Sequence, residues 1–263
     1  MNKCRWIALV VTFAVCQVGP GAGCTRTLVH VEPEHPRASK KAVLMLPGLR
    51  NTAKGHQAAQ EWYPAQGYDV FVPDYVSREG FAGSVANLAA FIEEQRLAEY
   101  EEVYAFVFLM GGWTLNMYLE EHDLPNLTTI VYDRSPLQEQ APRIVLETIP
   151  AVIHMLYGEA TDQLRDTPYP PLPKGERRIG IIVENRASPF VRRHCDELEP
   201  IAYEDWLPEA FDQEHDDLIY VYLHHDELYY SYDEIGDDLQ SFFETGRFTE
   251  GAARKPIDRD PFE

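Results

Sequence analysis

The residues whose types could do chemistry gather around one stretch, Glu102 to Leu119. Val103 to Phe108 is an unbroken run of β-branched, aromatic and small apolar residues, which suits a strand buried on both faces. Gly111 and Gly112 follow, and then Leu115, Tyr118 and Leu119 fall at helical spacing. A strand, a tight glycine turn and a helix make a nucleophile elbow, whose five positions run Gly-x-nucleophile-x-Gly around a strained central residue. Here they read Val107-Phe108-Leu109-Met110-Gly111. The last glycine is kept, Val107 replaces the first, and Leu109 stands where the nucleophile belongs. Leucine has no proton to give up and no lone pair to attack with.

Other reactive side chains are few. Ser135 follows the next expected strand and could be a displaced nucleophile, although serines after strand ends ordinarily cap a turn. Asp133 could attack as a carboxylate but lies in a different strand from the elbow. His224-His225-Asp226 offers metal-ligand types. Adjacent residues on a strand point to opposite faces and rarely share one ion, so no metal is expected there, and no cofactor elsewhere. Tyr220, Tyr222, Tyr229, Tyr230 and Tyr232 read as core and rim packing more readily than as the lining of an apolar pocket. Asn126-Leu127-Thr128 matches a glycosylation sequon and is read as coincidence.

The elements that must position these residues alternate. Strands are expected at Ala42 to Leu46, Tyr68 to Val72, Val103 to Phe108, Thr128 to Tyr132, Arg178 to Val183 and Leu218 to Leu223. Helical spacing runs through Gly55 to Gln66, Gly83 to Tyr100 and Asp233 to Phe243, with an interrupted helical stretch over Ala141 to Arg165. This alternation means βαβ units and a parallel sheet. Residues 24–41 read as a polar tether and 249–263 as a flexible tail, leaving one domain over 42–248. Hydrophobic residues are 45% of the 263, enough for one large core.

The formal charge is -20, so the chain is expected to be repelled by nucleic acid and by anionic lipid surfaces. The N-terminus reads as a targeting segment, residues 1–23. Lys3 and Arg5 precede an apolar run from Trp6 to Val18, too short to span a bilayer comfortably. Gly21-Ala22-Gly23 and then Cys24 resemble the lipobox of bacterial lipoproteins, with Gly21 where that motif usually has Leu. The resemblance implies lipid on Cys24 and a chain exported to a bacterial cell envelope and anchored to a membrane. Cys4 and Cys16 would leave with the signal, so Cys195 alone remains and no internal disulfide is expected.

Several blocks, taken in order, resemble the lipase and esterase branch of the α/β-hydrolase superfamily over roughly residues 42–248. Leu44-Met45-Leu46-Pro47-Gly48-Leu49 resembles the first strand and its oxyanion loop. Gly67-Tyr68-Asp69-Val70 with Pro73-Asp74-Tyr75, Leu109-Met110-Gly111-Gly112, Ser135-Pro136-Leu137-Gln138 and Ile179-Gly180-Ile181-Ile182 follow. His225-Asp226-Glu227-Leu228-Tyr229-Tyr230-Ser231 resembles the histidine loop, ahead of a closing helix and Thr245-Gly246-Arg247-Phe248. The resemblance implies an α/β-hydrolase fold, a mainly parallel sheet with helices on both faces. It implies a remnant triad of Leu109 at the nucleophile position, His225, and an acid at Asp196, with Glu184 and Glu197 as rivals. It implies oxyanion donors at the backbone N–H groups of Leu49 and Met110. The departures, Leu109 for Ser, Val107 for Gly and Pro47 for His, all fall in or beside the catalytic machinery.

The expectation is a non-catalytic hydrolase-fold protein that binds an acyl or other apolar small molecule, or a protein partner, in the former acyl pocket. The alternative is a working ester hydrolase with a displaced nucleophile.

Overall fold

The computed structural model describes residues 27–48, 52–148, 154, 158–173, 175–194, 198 and 200–263. Among them run strands β1 (Leu28–His30), β2 (Lys41–Leu46), β3 (Asp69–Val72), β4 (Glu102–Val107), β5 (Leu127–Arg134), β6 (Arg178–Glu184) and β7 (Asp217–Val221). They form one sheet in the order β1-β3-β2-β4-β5-β6-β7. β1 lies antiparallel to β3, and the other pairings are parallel.

The helices whose residues are described throughout are α1 (Ala53–Ala65), α2 (Phe81–Glu94), α3 (Leu109–Glu121), α4 (Pro136–Thr148), α5 (Ala160–Asp166), α6 (Pro189–Arg193), α7 (His225–Leu228) and α8 (Tyr232–Thr245). Thr52 opens α1 by accepting the Gly55 N–H at 3.0 Å. Gly246, at φ 75°, closes α8 in the left-handed cap that glycine adopts without strain.

Alternation along each strand divides the core in two. Val43, Met45, Tyr104, Phe106, Val131, Ile182 and Ile219 face α1 and α8 through Tyr63, Ile235, Leu239, Phe242 and Phe243. Ala42, Leu44, Leu46, Val103, Ala105, Val107 and Ile130 face α2 and α3 through Val85, Leu88, Leu115 and Leu119. Burial on both faces is why the strands read as continuous apolar runs.

Three expectations shift. The helix expected over Gly83 to Tyr100 ends at Glu94, where Arg96 turns left-handed at φ 55° ahead of a short 3-10 turn at Leu97–Glu99. The segment read as a tether contributes β1, which pairs Leu28 with Val72 and His30 with Val70. The segment read as a flexible tail is tied to the sheet: Tyr220 donates its N–H to the Ala253 carbonyl at 2.8 Å, and Ala187 does so to Pro261 at 2.8 Å. No helix among the described residues is long and apolar enough to cross a membrane.

Candidate functional site

β4 ends at Val107, and Phe108, extended at φ -98° and ψ 158°, caps α3 at Leu109. The elbow's strained centre is not formed. Among the described residues the non-glycine positions with positive φ are Arg96 and Asp212, so Leu109 begins an ordinary helix. Its side chain is 8% exposed and packs with Phe81, Met110, Trp113, Ala160 and Leu164. The two glycines are there for close approach. A Cβ on Gly111 would lie 2.2 Å from the Leu46 carbonyl oxygen, and one on Gly112 would lie 2.0 Å from the Tyr169 hydroxyl.

His225 is the first residue of α7, just past β7. Its Nδ1 stands 2.7 Å from Glu184 Oε1 and 2.8 Å from Asp133 Oδ2. Both carboxylates are buried, at the carboxyl ends of neighbouring strands. The parallel register explains the meeting. Asp133 pairs with Ile182, and Glu184 lies two residues further along the same strand, so all three share one face of the sheet. Burial pushes the Glu184 carboxyl well above its ordinary range, and the neighbouring Asp133 charge pushes it further. Burial opposes charging His225, but Glu184 and then Asp133 outweigh it and hold the imidazole well above its ordinary range.

The other imidazole nitrogen faces the loop after β2. A Cβ on Gly48 would lie 3.7 Å from His225 Nε2 and 3.4 Å from the Tyr229 hydroxyl. The Gly48 N–H donates to that hydroxyl at 2.8 Å. The Tyr229 ring stacks on Phe108, with centroids 4.0 Å apart and planes 9° apart. Tyr75 fixes the loop by donating its hydroxyl to the Pro47 carbonyl at 2.5 Å. Gly48, Tyr229 and Phe108 therefore surround the face of His225 that would work on a substrate, and none of them is a serine or cysteine.

Of the residues singled out in the sequence, Leu109, Met110 and His225 all lie at this carboxyl edge, because α3 follows β4 and α7 follows β7, but Leu109 packs in its own apolar cluster while His225 touches Glu184, Asp133, Phe108 and Tyr229. Asp196, Glu197 and Leu49 lie outside the described residues, as do Cys24 and Cys195. The carboxylates on His225 are Glu184, one of the rivals for the acid, and Asp133, set aside in the sequence for being in another strand. Ser135 is fully buried and caps a turn, its hydroxyl accepting the Leu137 N–H at 3.2 Å. His224 approaches Glu227 through Nε2 at 3.3 Å and so shares no centre with His225.

No family model matches the chain, and neither does any curated protein. Solved structures do. The mature form of Bacillus licheniformis lipase BlEst2 is similar at 14% identity and a TM-score of 0.55, over 84% of this chain and 98% of that one. A bromoperoxidase from Bacillus anthracis is similar at 10% identity and a TM-score of 0.52, over 80% and 94%. Est1E from Butyrivibrio proteoclasticus is similar at 11% identity and a TM-score of 0.50, over 78% and 86%. At such identities the likeness is one of architecture, and in architecture the chain has the α/β-hydrolase fold.

Proposed function

We propose that this is a hydrolase-fold protein that binds and does not hydrolyse. One observation carries the reading: Leu109 occupies the turn where the fold presents a nucleophile, in an unstrained helix start and packed among apolar side chains. Acyl transfer through a triad needs a hydroxyl or thiol within hydrogen-bond reach of the imidazole. The imidazole remains, its outer face turned to Gly48 and to a Tyr229 hydroxyl that is already engaged by the Gly48 N–H, with no serine or cysteine on it among the described residues. The apolar cluster of Phe81, Leu109, Met110, Trp113 and Leu164 is the wall against which an acyl chain or similar apolar body would lie. Loss of one triad member typically costs several orders of magnitude in rate.

The test is the mature wild-type protein with a fluorophosphonate probe and with short and long p-nitrophenyl esters. Neither labelling nor turnover above the buffer rate is expected. Robust turnover abolished by His225→Ala would overturn the reading in favour of a displaced nucleophile.

The order of Lys3, Arg5, the Trp6 to Val18 run, Gly21-Ala22-Gly23 and Cys24 supports export and lipidation at Cys24, which would hold the domain at a membrane of the cell envelope. Mass spectrometry of the protein from its native membrane should find a chain starting at a lipid-modified Cys24. An intact Met1 or an unmodified Cys24 would reject it.

A further inference from the structure

A fold that has lost its nucleophile has no catalytic use for two buried acids on one imidazole, yet both are present. Asp133 is 2% exposed and Glu184 is 0% exposed. One imidazole nitrogen, Nδ1, faces both of them, at 2.7 Å from Glu184 Oε1 and 2.8 Å from Asp133 Oδ2. A single Nδ1–H is thus divided between two carboxylate oxygens. Asp133 Oδ1 and Glu184 Oε2 are buried and accept from no N–H or hydroxyl, and the two carboxyls are close enough to share a proton. No lysine or arginine among the described residues pairs with either acid. Among the described residues the one cationic group against them is His225, a single positive charge for two buried acids; buried carboxylates persist where positive charge compensates them, and metal coordination is one of the recognised ways.

We propose that Asp133, Glu184 and His225 form a binding site for a divalent first-row transition ion, such as Zn²⁺ or Mn²⁺. The three donors come from three separate elements, β5, β6 and α7, and one ligand atom of each lies within 4.8 Å of the others. Two carboxylate oxygens and one imidazole nitrogen suit this class of ion better than Mg²⁺ or Ca²⁺, which favour oxygen alone. The orphaned Asp133 Oδ1 and Glu184 Oε2 give each acid a second lone-pair site for bidentate contact. Metal bonds of about 2.1 Å set neighbouring donors roughly 3.0–3.4 Å apart, so the ion requires the present contacts to open by about half an ångström, within reach of χ rotation in Glu184. An ion takes neutral imidazole and ionised carboxylates, so its affinity is expected to rise with pH.

The proposal rests on the non-catalytic reading, since an Nδ1 given to an ion is not the N–H that a triad acid orients. The two fail separately: probe labelling bears on the nucleophile, and metal titration bears on these three side chains. The experiment uses the mature protein stripped with chelator and titrated with Zn²⁺, Mn²⁺ and Co²⁺ by calorimetry, with the visible spectrum of Co²⁺ recorded. Binding of one ion per chain is expected, with a raised unfolding midpoint and a Co²⁺ spectrum showing a nitrogen ligand. Asp133→Asn and Glu184→Gln should each weaken it by ~10-fold or more, whereas the exposed His122→Ala should leave it unchanged. Unfolding curves of both variants show whether each is folded, and either folded variant suffices. No stoichiometric binding by wild type, or binding indifferent to a folded acid variant, overturns the site and leaves a shared proton as the compensating charge.

Discussion

The Gly48 N–H donates to the Tyr229 hydroxyl at 2.8 Å, while the ring behind that hydroxyl stacks on Phe108 at 4.0 Å. One tyrosine thus ties the loop after β2 to the residue that caps α3. Burial pushes its hydroxyl well above the ordinary range, so it stays neutral. Tyr229→Phe keeps the stack and removes the acceptor, leaving a buried N–H unsatisfied. The expected loss is about 1–3 kcal/mol in denaturant unfolding. A loss near zero would mean that water replaces the hydroxyl.

The glycine pair makes a ranked prediction. At Gly111 the obstacle is the Leu46 carbonyl, backbone at the end of β2 that the Phe108 N–H holds at 3.1 Å, and it cannot easily step aside. Gly111→Ala is expected to cost about 1–3 kcal/mol by overpacking. At Gly112 the nearest obstacle is the Tyr169 hydroxyl, the far end of a side chain rather than backbone, and one that makes no hydrogen bond. Alanine gains about 1 kcal/mol of helix propensity over glycine, so Gly112→Ala should fall near neutral. Equal unfolding midpoints for the two variants would contradict this packing.

Asp69 is the hub of a buried polar cluster at the opposite, amino edge of the sheet. It accepts from Lys40 Nζ at 2.5 Å, from the Tyr100 hydroxyl at 2.6 Å and from the Glu32 N–H at 2.9 Å. Lys40 is itself buried, so Asp69→Ala strands an ammonium and should cost about 3–5 kcal/mol. The double variant Lys40→Met, Asp69→Ala should recover a good part of that in urea unfolding, since the loss lies mainly in the unpaired charge.

The parallel core was legible because burial on both faces writes itself as apolar runs. Val103 to Phe108 is the clearest case, each residue 0% exposed. Glu184 was legible as a rival acid because it ends such a run. Asp133 was not, since only the register of β5 on β6 brings it onto the face of Glu184. Backbone-only ties such as Leu28 to Val72 and Tyr220 to Ala253 leave no hydrophobic period to read, so β1 and the C-terminal segment passed for tether and tail. The missing strain at Leu109 was hidden for another reason. Gly111 and Gly112 read as an elbow, but their small size answers Leu46 and Tyr169.

That last point decides the expected outcome for Leu109→Ser. Serine restores the atom a triad needs but not its presentation. In an active elbow the nucleophile is held in a strained turn that pushes its side chain toward the histidine. Here Phe108 is extended, Leu109 enters α3 normally, and Val107 is fully buried with no room for a remade turn. The hydroxyl would point into the cluster of Phe81, Trp113 and Leu164. The variant should lose about 2–4 kcal/mol through the lost apolar volume and the buried hydroxyl. Its fluorophosphonate labelling should stay within ~10-fold of wild type, because a nucleophile out of reach of its base gains little. Adding Val107→Gly relaxes the end of β4, and labelling should rise only in that double variant and fall again with His225→Ala. Strong labelling of the single variant would show that α3 remodels freely at its start, and that the side chain at 109 alone separates this protein from an active esterase.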